Sequence, residues 1–330
     1  MTVMLPNHSS SVAEPSIRIT TVPCPVCGST DRELLAVSLN DVEDRVPGSY
    51  DISRCAACGQ VYLSRRPDDA SLPACYPLDY HTRTGRKNPI LRWLFGIYHR
   101  LRMRELGGST AAGPRSLLEI GCGDAQFLVF LERRWDRAAR LAGLDFAVDR
   151  TQLPAGSRIR LVAGAIEDAD FGDTFDIVVA HNVLEHLPKP VEALRRIASY
   201  MRSGAVLAGQ VPDWNSPWRR IFPRHWNGLH VPRHMAFFDE RSLTNTLEKA
   251  GFSVDRIRRV YDPGDAAVSL CNWVTDVLGL QTRPRNAWFF FPVTLLFAPL
   301  GLVHTIVLRG RCALRFVATR KGDCKRSPGS

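Results

Sequence analysis

The sequence predicts an α/β protein, a largely parallel sheet with helices on both faces, preceded by a small module organised by four cysteines. Three observations predict it. Between residues 115 and 261, short apolar runs alternate with stretches of helical periodicity, a pattern that builds a parallel sheet covered on both sides. The run from Leu117 to Leu128 joins an apolar strand to a helix through Gly121-Cys122-Gly123-Asp124, a turn with few side chains that lets a ligand lie against bare backbone. Finally, Cys24-Pro-Val-Cys27-Gly28 and Cys55-Ala-Ala-Cys58-Gly59 repeat one knuckle pattern.

Residues 1–18 show no apolar periodicity and lack the apolar core of a signal peptide, so they read as a flexible leader. Residues 19–70 form the cysteine module. A two-residue spacer lets both sulfurs of a knuckle face one point, so Cys24, Cys27, Cys55 and Cys58 can present four thiolates tetrahedrally to Zn. The remaining cysteines, Cys75, Cys122, Cys271, Cys312 and Cys324, are scattered, which favours a reducing, cytoplasmic setting and metal over disulfides. Nothing around either pair resembles a thioredoxin unit.

Residues 71–114 are a linker and an amphipathic helix. Asn88-Pro89 starts that helix, and Ile90, Leu94, Ile97, Tyr98 and Leu101 share a face, while Arg92, Arg100, Arg102 and Arg104 bring charge. It is either a lid on the core or a basic helix lying on an anionic membrane surface. With 43 Lys+Arg against 33 Asp+Glu and a net charge of +10, the chain suits an anionic partner, whether nucleic acid, phospholipid or phosphorylated substrate.

The core, residues 115–261, divides into recognisable pieces. Arg140–Asp145 is a second strand ending in an acid, Arg158–Gly164 a third, and Phe175–His181 a fourth. Val191–Arg202 has helical periodicity, stopped by Ser203-Gly204 before a strand from Ala205 to Val211. Asp239 caps a helix through Ala250, Gly251 ends it, and Phe252–Tyr261 forms another strand.

The glycine turn excludes a dinucleotide site, because the third small residue of that fingerprint is replaced by Gln126. The run Glu119-Ile-Gly121-Cys-Gly123 resembles motif I of the class I S-adenosylmethionine-dependent methyltransferases, and Val183-Leu-Glu-His-Leu187 resembles the continuation of their fourth strand, a form frequent in ubiquinone-biosynthesis O-methyltransferases. The resemblance covers about residues 115–260 and, more weakly, a last antiparallel strand at Ala313–Thr319. It implies a Rossmann-like sheet and S-adenosyl-L-methionine as cofactor. On it, Glu119, Gly121, Cys122 and Gly123 meet the amino acid moiety and Asp145 the ribose hydroxyls. Ile166 and Glu167 would line the adenine region, Phe146 would also meet the cofactor, and His181 lies nearer the cofactor side. Ala165 departs from the polar residue that many relatives carry.

The insertion Trp226-Asn-Gly-Leu-His230-Val-Pro-Arg233-His234-Met-Ala-Phe237-Phe238 resembles a segment of zinc-ribbon methyltransferases from sugar and natural-product pathways, which implies a cover over the acceptor pocket. Methyl transfer is an in-line displacement, and a hydroxyl acceptor benefits from a general base. His186 and His234 are the candidate bases and Arg233 a candidate anchor for an anionic or carbonyl group. Residues 262–312 read as an apolar helical insertion. Trp288–Leu308 is uncharged, long enough to span a membrane, yet interrupted by Pro292 and Pro299, which favours a hairpin resting in one leaflet, a buried insertion or a dimer interface. Residues 313–330 complete the sheet and end in a basic tail. The expected function is methyl transfer to a small molecule, glycan or lipid-linked acceptor by a cytoplasmic enzyme, which would be peripheral at the inner face of the membrane if residues 288–308 contact it. The alternatives are an RNA base methyltransferase and a non-catalytic zinc scaffold; against RNA, His181-Asn182-Val183-Leu184 stands where an Asn-Pro-Pro-Tyr-type motif is needed.

Overall fold

The computed structural model describes residues 17–42, 46–76, 89–106, 116–279, 292 and 311–322. Two sheets organise them. The N-terminal sheet contains β1 (Ile19–Thr21), β2 (Arg32–Leu39), β3 (Tyr50–Cys55) and β4 (Val61–Pro67), ordered β1-β4-β3-β2 and paired antiparallel. Arg32 lies opposite Cys55, so the β2–β3 pairing returns the second cysteine knuckle to the first. A 3-10 helix at Asp69–Cys75 follows, its N-terminus capped by Asp68. Next comes α1 (Pro89–Glu105).

The main sheet is built from β5 (Ser116–Ile120), α2 (Gln126–Glu132), β6 (Arg140–Asp145), β7 (Arg160–Ala163), β8 (Phe175–His181), α3 (Pro190–Ser199) and β9 (Met201–Pro212). The chain then continues through α4 (Pro217–Ile221), β10 (Ala236–Phe237), which belongs to the N-terminal sheet, α5 (Glu240–Lys249), β11 (Phe252–Val260), α6 (Pro263–Val277) and β12 (Ala313–Arg320), the main sheet taking β11 and β12. The strand order of the main sheet is β11-β12-β9-β8-β5-β6-β7. β7, β6, β5, β8 and β9 run parallel, and β12 is antiparallel to both neighbours.

β5 is buried along its whole length, as expected of a central parallel strand covered on both faces. Its alternate residues serve different layers. Leu118 and Ile120, with Val178 and Ala180 of β8, pack with Leu194 of α3 and Leu243 of α5. Leu117, with Ile177 and Val179, packs with Phe127, Leu128 and Leu131 of α2. The strand order reverses at β5, which has β6 on one side and β8 on the other; such a switch point opens a crevice at the carboxyl ends of the strands.

Two local expectations change. The helix expected through Arg202 ends at Ser199, and β9 begins at Met201, opposite Phe175. Gly204, at φ +75°, sits beside a register shift between Phe175 and Ile177, so Ser203-Gly204 makes a bulge within the strand and does not stop the helix. In α1, Leu101 is 44% exposed, whereas His99, Arg102 and Leu106 are buried. The helix is turned by Arg102, whose guanidinium lies 4.0 Å over the Phe127 ring and pairs with Glu119. This part of α1 is a lid on α2 and β5; the side chains of Ile90, Arg92 and Leu94 lie outside the described residues.

A pairing that carried no sequence signal joins the two sheets. β10, from the insertion after β9, pairs with β4, placing Ala236 opposite Tyr62 and Phe237 opposite Val61. Gln60 Nε2 donates to Phe237 O at 2.9 Å, and Leu63 N donates to Met235 O at 2.9 Å. Trp214, Trp226, Leu229 and Val231 of the insertion share an apolar cluster with Tyr50, Ile52 and Leu63 of the N-terminal sheet. The cysteine module is therefore continuous with the rest of the molecule. Trp288–Leu308 lies outside the described residues, apart from Pro292. Among the described residues, no helix is long and apolar enough to cross a membrane.

Candidate active site

The carboxyl ends of β5, β6 and β8 bring Glu119, Asp145 and His181 to one edge of the sheet. Gly121 has φ +68°, and a Cβ there would stand 2.7 Å from Val183 Cγ2, so both backbone conformation and space require glycine. The N–H groups of Gly121 and Cys122 close the turn onto Leu144 O at 2.8 and 3.1 Å, and Gly123 N donates to Asp145 Oδ2 at 2.7 Å. Cys122 faces inward, its thiol pushed up by burial and by the nearby Glu119 and Asp145 carboxylates, so only its backbone meets the crevice. Phe146 is 69% exposed beside Asp145, Ile166 is buried in the core, and Glu167 is exposed.

Arg102, missed in the sequence, meets this edge. Its Nη2 donates to Glu119 Oε1 at 2.8 Å with both side chains buried. His181 ends β8 on the same face, and burial together with Arg102, Arg315 and His99 holds its imidazolium form well below the usual range. The only signal for Arg102 was its i+4 spacing from Tyr98, whose ring it also approaches.

The four cysteines converge, with their sulfurs all within 4.8 Å of one another. Cys24 and Cys58 sulfurs lie 3.6 Å apart, Cys27 and Cys55 sulfurs 3.4 Å. These spacings are far beyond a disulfide and near the edge of a tetrahedron with metal–sulfur bonds of about 2.3 Å. Burial opposes ionisation of Cys55, but N–H groups of Cys58 and Ala57 and the Cys27 thiol bring it down to about 7. The residues thus fit a tetrathiolate metal centre.

A second constellation lies past β8. A 3-10 turn at Leu184–His186 exposes the imidazole of His186 to those of His230 and His234, with ring centroids 6.5 and 4.6 Å away. His234 Nδ1 donates to Gly228 O at 2.8 Å, and burial plus the neighbouring His186 and His230 keep its imidazole neutral. His186 Nδ1 lies 3.1 Å from Arg233 O, an acceptor, and 3.2 Å from Tyr76 Oη. Glu185 is buried, with a carboxyl oxygen within 4.8 Å of a ring nitrogen of both His186 and His234, and desolvation pushes its carboxyl up to about 8. Tyr76, at the exit of the cysteine module, stands 6.2 Å from His186 and 6.3 Å from Phe146 by ring centroids, and so touches both ends of the cleft.

Arg233 does something other than anchor an acceptor. Its side chain is fully buried, its two terminal nitrogens donate to Asp41 at 3.1 and 3.2 Å, and Nε donates to Cys75 O at 2.9 Å. It clamps the insertion to the N-terminal module. Neither Asp41 nor Tyr76 carried a sequence signal, because each reaches the cleft from a distant segment.

A seven-stranded sheet in this order, with an acid and a bare turn at its switch point, defines the class I methyltransferase fold. A methyltransferase domain family model matches residues 90–257, and the chain belongs to that S-adenosylmethionine-dependent family. A trans-aconitate 2-methyltransferase of Rhodopseudomonas palustris (strain BisB5) is 33% identical over 167 residues, 48% of this chain and 58% of that protein. The enzyme of the same name from Escherichia coli O7:K1 is 29% identical over 175 residues, 48% of this chain and 64% of its own length. The chain thus spans less than two thirds of these relatives. Among solved structures, a mycolic acid cyclopropane synthase crystallised with SAH and CTAB superposes with a TM-score of 0.47 at 14% identity, over 67% of this chain and 84% of that one.

Proposed function

We propose that the protein transfers a methyl group from S-adenosyl-L-methionine to a small-molecule, glycan or lipid-linked acceptor bound between Tyr76, His186 and His234. One observation carries the reading: Tyr76 contacts Phe146 at the donor end and His186 at the acceptor end, so the two halves face each other across a single aromatic ring. The cofactor would supply an electrophilic methyl on a sulfonium. Glu119 and Arg102 suit its zwitterionic end, and Asp145, already oriented by Gly123 N, suits the ribose diol. The Tyr76 side of the cleft orients the acceptor for in-line attack, and the His186–His234 imidazoles promote the loss of its proton. The names of the relatives support a small organic acceptor. In the four-cysteine module we assign a structural Zn²⁺ to Cys24, Cys27, Cys55 and Cys58. The apolar side chains exposed on α6, Trp273 and Val277, and at its C-cap, Leu278, support contact of this region with an apolar or membrane surface.

The test is labelled methyl transfer into lipid, glycan and RNA fractions, paired with calorimetric binding of S-adenosylmethionine. His186→Ala and His234→Ala should each leave cofactor binding intact and lower transfer by about 100-fold or more, the usual contribution of a proton-transfer group. If neither substitution lowers transfer, the role of these histidines is wrong; label in the RNA fraction alone would refute the acceptor class.

A further inference from the structure

We infer that Glu185, His186 and His234 form a second metal site, for a divalent ion such as Zn²⁺, Co²⁺ or Fe²⁺, distinct from the tetrathiolate centre and facing the acceptor. The inference rests on the acceptor site just described and reassigns His186 and His234 from proton acceptors to ligands.

Three observations carry it. One ligand atom from each of the three side chains lies within 4.8 Å of the other two, within a small contraction of a coordination sphere. Both carboxylate oxygens of Glu185 are buried and have no hydrogen-bond partner among the described residues. A buried carboxylate without donors is costly, and a cation is a direct way to satisfy both oxygens. The third observation is the orientation of the two rings. A carbonyl can only accept, so His234 Nδ1–H donates to Gly228 O and His186 Nδ1–H donates to Arg233 O, which places each ring's lone pair on Nε2. Ligating histidines are held in this way, with the second nitrogen bonded to backbone or carboxylate.

Two imidazoles and one carboxylate are the donor set of sites that keep a position open for water or substrate. Here the open position takes an oxygen of the acceptor. Coordination lowers the pKa of the hydroxyl, and its proton passes to solvent. The oxygen then forms a bond to the methyl carbon while the carbon–sulfur bond breaks. That electron pair goes to sulfur and the sulfonium becomes a neutral thioether. Arg233 supports this centre indirectly, because its carbonyl orients His186 while its guanidinium fixes the segment to Asp41.

The experiment uses the full chain, purified with zinc in the cysteine module and titrated with Co²⁺ alone. A second equivalent should bind with weak visible bands and without thiolate charge transfer. Proton NMR of that species should show two exchangeable hyperfine-shifted resonances, one for each Nδ1–H. Glu185→Gln and His234→Gln should each weaken Co²⁺ binding by at least about tenfold, in line with the loss of a metal-site group. Absence of a second equivalent, absence of the two resonances, or unchanged affinity in both variants would overturn the proposal; the resonances are read on the unaltered protein, so a variant that misfolds leaves a decisive result. S-adenosylmethionine binding is measured in parallel. Cofactor binding without Co²⁺ uptake removes only the metal site, and Co²⁺ uptake without cofactor binding removes only the methyltransferase reading.

Discussion

The proposed donor end of the cleft takes Glu119, Gly123, Asp145 and His181 from the ends of three neighbouring parallel strands and the turn after the first, whereas the proposed acceptor end gathers Tyr76, Glu185, His186 and His234 from three separate segments. Strand register holds the first together. The second depends on buried polar links: Arg233 to Asp41, Trp226 to Asp265, and the pairing of β10 with β4. The contrast teaches that one catalytic cleft can have a rigid half, fixed by the sheet, and a half whose geometry is only as secure as a few long-range contacts.

The largest effect should come from the Zn²⁺ proposed for the cysteine module, since structural zinc in small modules binds with about 10–16 kcal/mol. Stripping it with a chelator should abolish amide protection in β2, β3 and β4, and amides of β5 and β6 should keep theirs in hydrogen exchange. Equal loss in both sheets would erase the distinction between the two halves. A smaller effect is expected at the clamp. Arg233→Ala removes the guanidinium that pairs with the buried Asp41 carboxylate, which costs about 3–5 kcal/mol, and the loss should appear as a lowered urea midpoint. Arg233→Lys should rescue little, because the contact to Asp41 uses both terminal nitrogens. Cofactor affinity should stay within a few-fold of the parent in both variants; a collapse of that affinity would show the donor end to be equally dependent on the clamp.

The smallest effect is a pH dependence. Asp265, in the first turn of α6, accepts from Ser216 Oγ and Trp226 Nε1, and burial with the Asp262 charge pushes its carboxyl up to about 7. Its pKa is therefore higher folded than unfolded, near 3.8. The folded state holds the proton longer, so this contribution to stability is complete below pH 3.8, declines as pH rises, and is gone above about 7. Asp265→Asn removes the titration. The stability of the parent relative to this variant should fall between pH 5 and pH 8 in denaturant titrations, and a constant difference would exclude the carboxyl as the cause.

Much of the donor end was legible because its signals are local. A strand running into Glu119-x-Gly121-x-Gly123, an acid at the end of β6, and the Asp239 cap each work within a few residues; the last appears as a reciprocal capping box with Ser242. The cysteine knuckles were legible for the same reason. Arg102 was misread because a helix's outer and inner faces differ by a modest rotation, and a buried ion pair outweighed the apolar face that hydrophobicity alone selected. Arg233 was misread because an arginine beside a histidine suits a pocket as well as a clamp; only the position of Asp41 separates the two.

The sequence by itself determined the alternation of strands and helices, the bare turn that suits S-adenosylmethionine, and the four thiolates, all through short-range steric and hydrogen-bonding rules. The tertiary structure decided which way α1 turns and that β10 completes the N-terminal sheet. It also decided that Tyr76 reaches the cleft and that Glu185, His186 and His234 share one point. Each of these depends on burying polar groups against partners far along the chain, and such a partner can be recognised only when the fold brings it within hydrogen-bonding distance.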